Sequence, residues 1–271
     1  MIDTHSHVLP GLDDGASDMS EAISLARSAV DDGVREVVCT PHARERGDRS
    51  LTMGRGALTE LESALSEAQI PLRLHLGYEL SFSFASSLDV SELNDLTLGP
   101  RSRAILVELP YSGWPLGAQD AVFRWRLQGL LPVLAHPERN DRVQRDPAVL
   151  EELLRIGAVA QGTLPSLLGT FGSASRKTFL RLLAAGRFAM LASDAHYGSG
   201  RPASMAEGLR LMRAWAPGAD VQSLTVDNPA RLLRGEPLRA LPPVRVRRAW
   251  EKYLRRTEKS TSARPYSAGL S

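Results

Sequence analysis

One cysteine, Cys39, stands in the 271 residues. That excludes an internal disulfide framework and suits a reducing compartment, so the chain is expected to be cytoplasmic. No apolar run reaches the roughly 18 residues that a membrane-spanning helix requires. The N-terminus has neither the basic stretch nor the apolar core of a secretory leader, and none is expected. There is no G-x-x-x-x-G-K loop and no G-x-S-x-G elbow, which removes P-loop and serine-elbow chemistry. No segment recurs at a fixed period.

The net charge is small, +2, but it is unevenly spread. From Pro237 to Ser271 nine Lys/Arg face two Asp/Glu, so this tail carries +7 and the rest of the chain −5. A mildly acidic body disfavours a nucleic-acid substrate. The length suits one large α/β domain or two small ones, and 43% hydrophobic with 24% charged residues is ordinary for a globular protein.

The first fifteen residues organise the rest of the chain. Met1-Ile2-Asp3-Thr4-His5-Ser6-His7 runs into Pro10-Gly11-Leu12-Asp13-Asp14-Gly15. Histidines two apart share a face only on an extended backbone, so a strand end here presents two imidazoles, with carboxylates close behind. Taken alone, His-x-His is more often a polar turn than a metal site; the positions of the other histidines decide between the two.

Along the chain, Ser17 or Asp18 caps a helix with an Ala22, Leu25, Ala26, Ala29, Val30 face, stopped at Gly33. Glu36 to Thr40 reads as a strand ending in Pro41-His42. A Gly-dotted basic loop, Arg44 to Gly56, precedes a helix over Leu58 to Ala68. Pro71 to Leu80 alternates as a strand and delivers Glu79; Asp89 to Gly99 reads as connection with a short strand or turn. Ala104 to Glu108 is apolar throughout, as a strand buried on both faces should be, and ends in a carboxylate. A loop over Tyr111 to Gly117 and a helix with Val122, Trp125 and Leu127 lead to the strand Leu131 to Ala135, then His136-Pro137-Glu138-Arg139. Pro147 opens a helix to Ile156. Gly157 to Gln161 is a strand, Thr178 to Ala185 lies in a helix, and Arg187 to Ala192 runs into Ser193-Asp194-Ala195-His196. Helices follow at Ala203 to Ala214 and Asp227 to Leu233.

Seven strands alternating with helices predict a largely parallel α/β architecture. Nearly every strand ends in His, Asp or Glu, and in a β/α barrel the active site lies at the carboxyl ends of the strands. The tail differs. After Leu241-Pro242-Pro243, Val244 to Arg256 reads as a basic helix with Val246, Trp250 and Tyr253 along one side. Thr257 to Ser271 has a disordered composition. Such a helix either docks its few apolar residues on the domain or touches anionic lipid or an acidic partner.

Five of the six histidines, His5, His7, His42, His136 and His196, fall at strand ends; His75 is mid-strand and reads as structural. With Asp14, Glu79, Glu108 and Asp194 they make nine candidate ligands, too many for one ion, since a catalytic zinc site takes about three. The set suits two or three ions sharing carboxylates. Imidazole and carboxylate without thiolate suit Mn, Fe or Zn, the oxygen share leaning to Mn or Fe. Clusters of this kind hydrolyse phosphate esters, an ion-held hydroxide attacking while neighbouring ions steady the oxygens. Arg139 and Arg201 follow ligand-bearing segments and can clamp phosphate oxygens with a guanidinium fork; either is as readily a surface charge. Cys39 offers no thiol route. Cysteine-dependent phosphatases use Cys-x5-Arg, whereas here Arg44 follows after four residues and position 45 is Glu. Within an apolar strand it reads as buried and inert.

His5-Ser-His7, Asp13-Asp14-Gly15, Thr40-Pro-His42, Gly77-Tyr-Glu79, Val107-Glu108, Ala135-His136-Pro-Glu-Arg139 and Ser193-Asp-Ala-His196 with Gly200-Arg201-Pro202 resemble the PHP (polymerase and histidinol phosphatase) superfamily. More narrowly, they resemble its manganese-dependent bacterial protein-tyrosine phosphatases of capsule and exopolysaccharide loci, over roughly residues 1 to 235. The resemblance implies a distorted (β/α)7 PHP-type barrel over 1–236, followed by a basic, partly disordered helical tail over 237–271. It implies three metal ions. His5, His7, Glu79 and Asp194 would hold one, Glu79, Glu108 and His136 the second, and Asp14, His42 and His196 the third, with Arg139 and Arg201 on the phosphoryl group. The implied substrate is phosphotyrosine on a bacterial tyrosine autokinase that drives polysaccharide export.

Two features depart from that pattern. Relatives often carry Gln-x-Asn on the sixth strand and then Ser-Leu-x-Gly, where this chain has Gln161-Gly162-Thr163 and Ser166-Leu167-Leu168-Gly169; and the tail after Pro237 has no counterpart. Other readings are a PHP phosphoesterase for histidinol phosphate or nucleotides, and an inactive scaffold binding export partners. None of the nine ligands is missing, which weighs against the scaffold.

Overall fold

In the computed structural model, which describes residues 1–198 and 205–247, strands and helices alternate as the hydrophobic pattern predicts. Strand β1 (Ile2–Ser6) leads to helix α1 (Met19–Asp31), and of the two candidate caps Asp18 is the one used, accepting from Glu21 N–H. The predicted second strand comes in two pieces, β2 (Glu36–Cys39) and β3 (His42–Ala43), on either side of Thr40-Pro41. Helix α2 (Arg49–Glu67) begins well inside the expected Gly-dotted loop. Its two early glycines mislead: Gly54 is buried, and a Cβ there would stand 3.2 Å from the Tyr78 hydroxyl. The next strand is also divided, into β4 (Arg73–Leu76) and β5 (Glu79–Ser81). Gly77 allows the break, since a Cβ there would lie 2.8 Å from Leu98.

Short helices α3 (Phe82–Ser87) and α4 (Val90–Asp95) follow. The second corrects the expected connection with a short strand or turn over Asp89 to Gly99: Asp89 and Glu92 form a reciprocal capping box that starts a helix there. The chain continues through β6 (Ala104–Glu108), α5 (Ala118–Leu127), β7 (Leu131–Ala135), a 3-10 turn over Pro137–Arg139, α6 (Asp141–Arg145), α7 (Ala148–Ile156) and β8 (Val159–Thr163). Then come α8 (Leu164–Leu168), α9 (Gly172–Ala184), β9 (Phe188–Ala192), α10 (Met205–Trp215), a π turn over Ser223–Asp227 and α11 (Asn228–Leu233).

All strand pairs are parallel. One sheet runs β1-β2-β4 and the other β3-β5-β6-β7-β8-β9. Because β2 continues into β3 and β4 into β5, the two sheets share one chain path. At the far edges, Asp194 N–H donates to His5 O, His7 N–H to Ala195 O, and Ser6 bridges Ala195 in parallel. Period-2 alternation sorts the core: Ala104 and Leu106 join Val38, Val133 and Met190 in one cluster, while Ile105 and Val107 pack with the helices. Each fully buried Leu or Val contributes roughly 1.5–3 kcal/mol.

The expected helix from Val244 to Arg256 is not seen where it can be checked. Val244 to Arg247 is not helical; Val244 N–H donates to Ala184 O and Arg247 N–H to Trp215 O. Two prolines, Pro242 and Pro243, and these bonds to the body favour an extended path over helix nucleation. Positions 248 to 271 lie outside the described residues. The segment crosses beside Gly186, ahead of β9, at the end of the strands opposite the histidines.

Candidate metal centre

The candidate ligands gather at strand ends, at the breaks that divide the second and third strands, and in the turn after β1. His5 lies in β1 and His7 just beyond it, His42 opens β3, Glu79 opens β5, Glu108 closes β6, His136 follows β7, and Asp194 and His196 follow β9. The Asp13-Asp14 turn folds back over β1 because residue 15 is glycine; a Cβ there would sit 2.0 Å from His7 O. His5, His7, Glu79, His136, Asp194 and His196 are all buried. Asp14 is the outermost, its side chain 60% exposed, so its end of the cluster faces solvent.

The extended backbone of β1 does what the i, i+2 spacing requires. The Nε2 atoms of His5 and His7 are 3.2 Å apart. Glu79 Oε2 lies 3.3 Å from both, and Asp194 Oδ1 3.5 Å from both. Atoms bound about 2.1 Å from a tetrahedral ion stand about 3.4 Å apart. The outer ring nitrogens fix the proton positions. His5 Nδ1 donates to Gln161 Oε1 at 2.9 Å, because Gln161 Nε2 is committed to Thr4 Oγ1 at 2.8 Å. His7 Nδ1 donates to Asp13 Oδ2 at 2.6 Å. In the neutral rings both Nε2 lone pairs therefore point at each other and at two carboxylate oxygens. Four electron-rich atoms converging in a buried space fit a cation.

Two further groups adjoin this one. His136 Nε2 is 2.9 Å from Glu79 Oε1 and 3.8 Å from Glu108 Oε1. Asp14 Oδ1 is 3.3 Å from His42 Nε2 and 3.4 Å from His196 Nε2. His196 Nδ1 donates to Asp194 O, which leaves its Nε2 for Asp14. Glu79 spans the groups through its two oxygens, and His42 Nδ1 comes within 3.0 Å of Oε2. That contact lacks hydrogen-bond geometry at either atom, and Glu108 Oε1 likewise has no hydrogen-bond donor. A buried acceptor without a donor is costly, and a shared cation removes the cost. The nine predicted residues thus form contiguous sets, His7 with Asp14, His42 and His196; His5 with Glu79 and His136; His5 with His7 and Asp194; His42 with Glu79 and Glu108.

Without a cation, protons hold these groups together. Burial opposes a charge on His5 and His7, but the surrounding Glu79, Asp194 and Asp13 keep both pKa values above the ordinary imidazole range. Burial likewise opposes a charge on His42, yet Asp14 and Glu79 raise it to about 9. Burial pushes the Asp194 carboxyl up, and His5, His136, His7 and Arg139 outweigh it, lowering the pKa to about 2. His136 (φ 31°) and Asp194 (φ 50°) both have left-handed backbones. Each costs roughly 1–2 kcal/mol in a residue with a Cβ, and such strain gathers at functional sites.

Arg139 enters the cluster directly. Its Nη1 donates to Asp194 Oδ2 and its Nη2 to the Tyr111 hydroxyl, each at 2.7 Å. Arg201, the second expected clamp, lies outside the described residues. His75 pairs with Glu36 at 2.8 Å, away from the cluster. Cys39 is buried, and that burial drives its thiol pKa far up, removing the thiolate. The surface cavity lined by Glu151, Arg155, Arg187 and Leu238, about 600 Å³, is on the opposite side of the strands and holds none of the candidate ligands.

Sequence reasoning missed the supports of the candidate ligands. Asp13, by sequence one of two possible oxygen ligands, instead orients His7 and accepts His42 N–H at 2.9 Å. Gln161, by sequence only the retained first residue of the relatives' Gln-x-Asn run, orients His5. Asp3 accepts from Ser193 N–H and His5 N–H, tying β1 to the Asp194 turn. Glu138 accepts from Thr163 N–H and Oγ1, pinning the His136 turn to β8. The signal available was a carboxylate or amide within a few residues of a ligand, which many surface residues also satisfy.

Fold and site together define a parallel α/β protein whose strand ends gather a candidate multi-metal cluster. The chain belongs to the family described as capsular polysaccharide synthesis, CpsB/CapC, which it matches over residues 1–234. It is 33% identical over 249 residues to the tyrosine-protein phosphatase YwqE of Bacillus subtilis (strain 168), covering 92% of this chain and 97% of that protein. It is 31% identical to the putative tyrosine-protein phosphatase CapC of Staphylococcus aureus, over 74% of this chain and 79% of CapC. Among solved structures it resembles a chain from the crystal structures of YwqE from Bacillus subtilis and CpsB from Streptococcus pneumoniae, described as unique metal-dependent tyrosine phosphatases. That match has a TM-score of 0.81 at 33% identity and covers 92% of this chain and all of the other.

Proposed function

We propose that this protein is a metal-dependent tyrosine-protein phosphatase whose cluster holds three manganese ions. The observation that carries the reading is the convergence of His5 Nε2, His7 Nε2, Glu79 Oε2 and Asp194 Oδ1 beside the Arg139 guanidinium. Membership of a family with named tyrosine-protein phosphatases supports it. His5, His7, Glu79 and Asp194 hold one ion, Glu79, Glu108 and His136 a second, and Asp14, His42 and His196 a third. Imidazole and carboxylate donors without thiolate suit manganese or iron better than zinc, and the resemblance to manganese-dependent phosphatases selects manganese. When bound, the ions supply an activated water and positive charge for attack at phosphorus.

The chain's own residues do the rest. Arg139, and Arg201 in the same proposed role, grip phosphoryl oxygens. Asp13 and Gln161 keep the ligating lone pairs of His7 and His5 aimed inward. The exposed Asp14 edge gives a phosphotyrosine side chain its way in. The same reading closes the two sheets into a distorted (β/α)7 barrel. The bonds from Asp194 and His7 across to β1 and the turn after β9 support closure, as do the divided second and third strands, which leave seven strand paths. The catalytic unit is residues 1–236 and the basic segment 237–271 an appendage. The substrate is phosphotyrosine on a cytoplasmic kinase segment of a polysaccharide-export system.

Chelated protein assayed on a phosphotyrosine peptide tests this. Manganese should restore hydrolysis that vanadate, an inhibitor of thiol phosphatases, scarcely affects. Turnover of histidinol phosphate alone would keep the site and change the substrate; inactivity with manganese, iron and zinc would end the phosphatase reading.

A further inference from the structure

Arg139 is boxed by aromatic rings that metal-ligand chemistry does not require. Its guanidinium carbon lies 4.0 Å from the centre of the Phe171 ring and 4.7 Å from that of Tyr111. The Tyr111 ring also stacks on His136, with centres 6.2 Å apart and planes 24° from parallel. His136 in turn stacks on His5 at 5.5 Å. Tyr111 is thus the outer member of a stack that begins inside the cluster, and it is 51% exposed, among the most exposed large hydrophobic side chains described.

The loop that carries it is fastened rather than loose. Asp141 N–H donates to Tyr111 O at 2.9 Å, and Gly113 N–H and Ser112 Oγ donate to the Asp141 carboxylate. Asn140 Nδ2 donates to Pro110 O and Gly113 O. The loop is therefore tied to the segment that follows His136 and Arg139, so ring, clamp and ligand keep a fixed relation. A half-exposed aromatic ring held beside a guanidinium that grips phosphoryl oxygens is complementary to the ring of an aryl ester, one oxygen away from phosphorus.

We propose that Tyr111, with Phe171 behind Arg139, is a specificity-determining rim that selects aryl over alkyl phosphoryl compounds. The inference rests on the phosphatase reading above. Tyr111 does this through its ring, while its hydroxyl serves to steady Arg139.

The test is binding, not turnover. Dissociation constants of phenylphosphonate and methylphosphonate are measured by calorimetric titration of the metal-loaded protein and of Tyr111→Ala and Tyr111→Phe. The unsubstituted protein should prefer the phenyl compound by about tenfold, Tyr111→Phe should keep that ratio, and Tyr111→Ala should reduce it to about twofold. A ratio unchanged in Tyr111→Ala, or lost equally in Tyr111→Phe, overturns the proposal. Turnover of the phosphotyrosine peptide is scored separately. Phenyl preference without any turnover would indict the phosphatase reading, whereas turnover without phenyl preference would indict the rim.

Discussion

His7 Nδ1 donates to Asp13 Oδ2 at 2.6 Å, and the same oxygen accepts His42 N–H at 2.9 Å. One carboxylate thus sets the ring of one candidate ligand and the backbone of another, joining the end of β1 to β3. Burial pushes the Asp13 pKa up, but His7 and the two backbone donors outweigh it, holding it at about 2. Asp13 is therefore ionised at neutral pH and holds the His7 ring with Nε2 facing the cluster.

Asp13→Asn should weaken metal binding about 10- to 100-fold, as loss of an outer carboxylate partner commonly does. Excess manganese should recover most of the activity. Metal titration of the chelated variant measures this, and an affinity equal to that of the unsubstituted protein would reduce Asp13 to a turn residue.

Arg139→Lys keeps the charge and discards the fork. Its kcat/KM on a phosphotyrosine peptide should fall about 10- to 100-fold, in line with the loss of a charge-assisted bidentate contact. Steady-state kinetics at saturating metal separates this from a defect in metal binding. An unchanged kcat/KM would show that Arg139 only braces Asp194.

Metal binding should be pH-dependent in one direction. Asp14 and Glu79 overcome burial to hold His42 protonated up to about pH 9, so at neutral pH a cation must displace that proton. Affinity should tighten as the pH rises from about 6.5 towards 9 and weaken as it falls. Calorimetric titration in buffers of differing ionisation heat should register the released protons. A binding constant flat across that range would remove His42 from the ligand set.

Cys39→Ala should leave turnover intact and cost about 1 kcal/mol of stability through the small cavity in the apolar core. Thermal unfolding and peptide hydrolysis read the two effects independently. Loss of hydrolysis in a variant that folds and binds manganese would restore a thiol mechanism.

The alternation of elements was legible because it rests on short-range rules: period-2 apolar runs, capping residues, and glycine or proline at breaks. The start of α2 and the helix α4 were not. Gly54 reads as a break in sequence but is a close packing point against Tyr78, and the Asp89–Glu92 box reads there as polar connection. The basic segment after Pro243 has a helical composition, yet Val244 and Arg247 bond to α9 and Trp215 instead.

By itself the sequence determined which residue types stand at the strand ends, because a strand's last residues sit within a few positions of its apolar run. Strand order alone then suffices to bring His5, Glu79, His136 and Asp194 to one end. Only the tertiary structure decided that Asp13 serves His7 and that Gln161 serves His5. It alone placed Tyr111 beside Arg139. Those roles depend on which atom faces which across elements as much as 156 residues apart in the chain, and orientation at that range is set by packing rather than by neighbours in sequence.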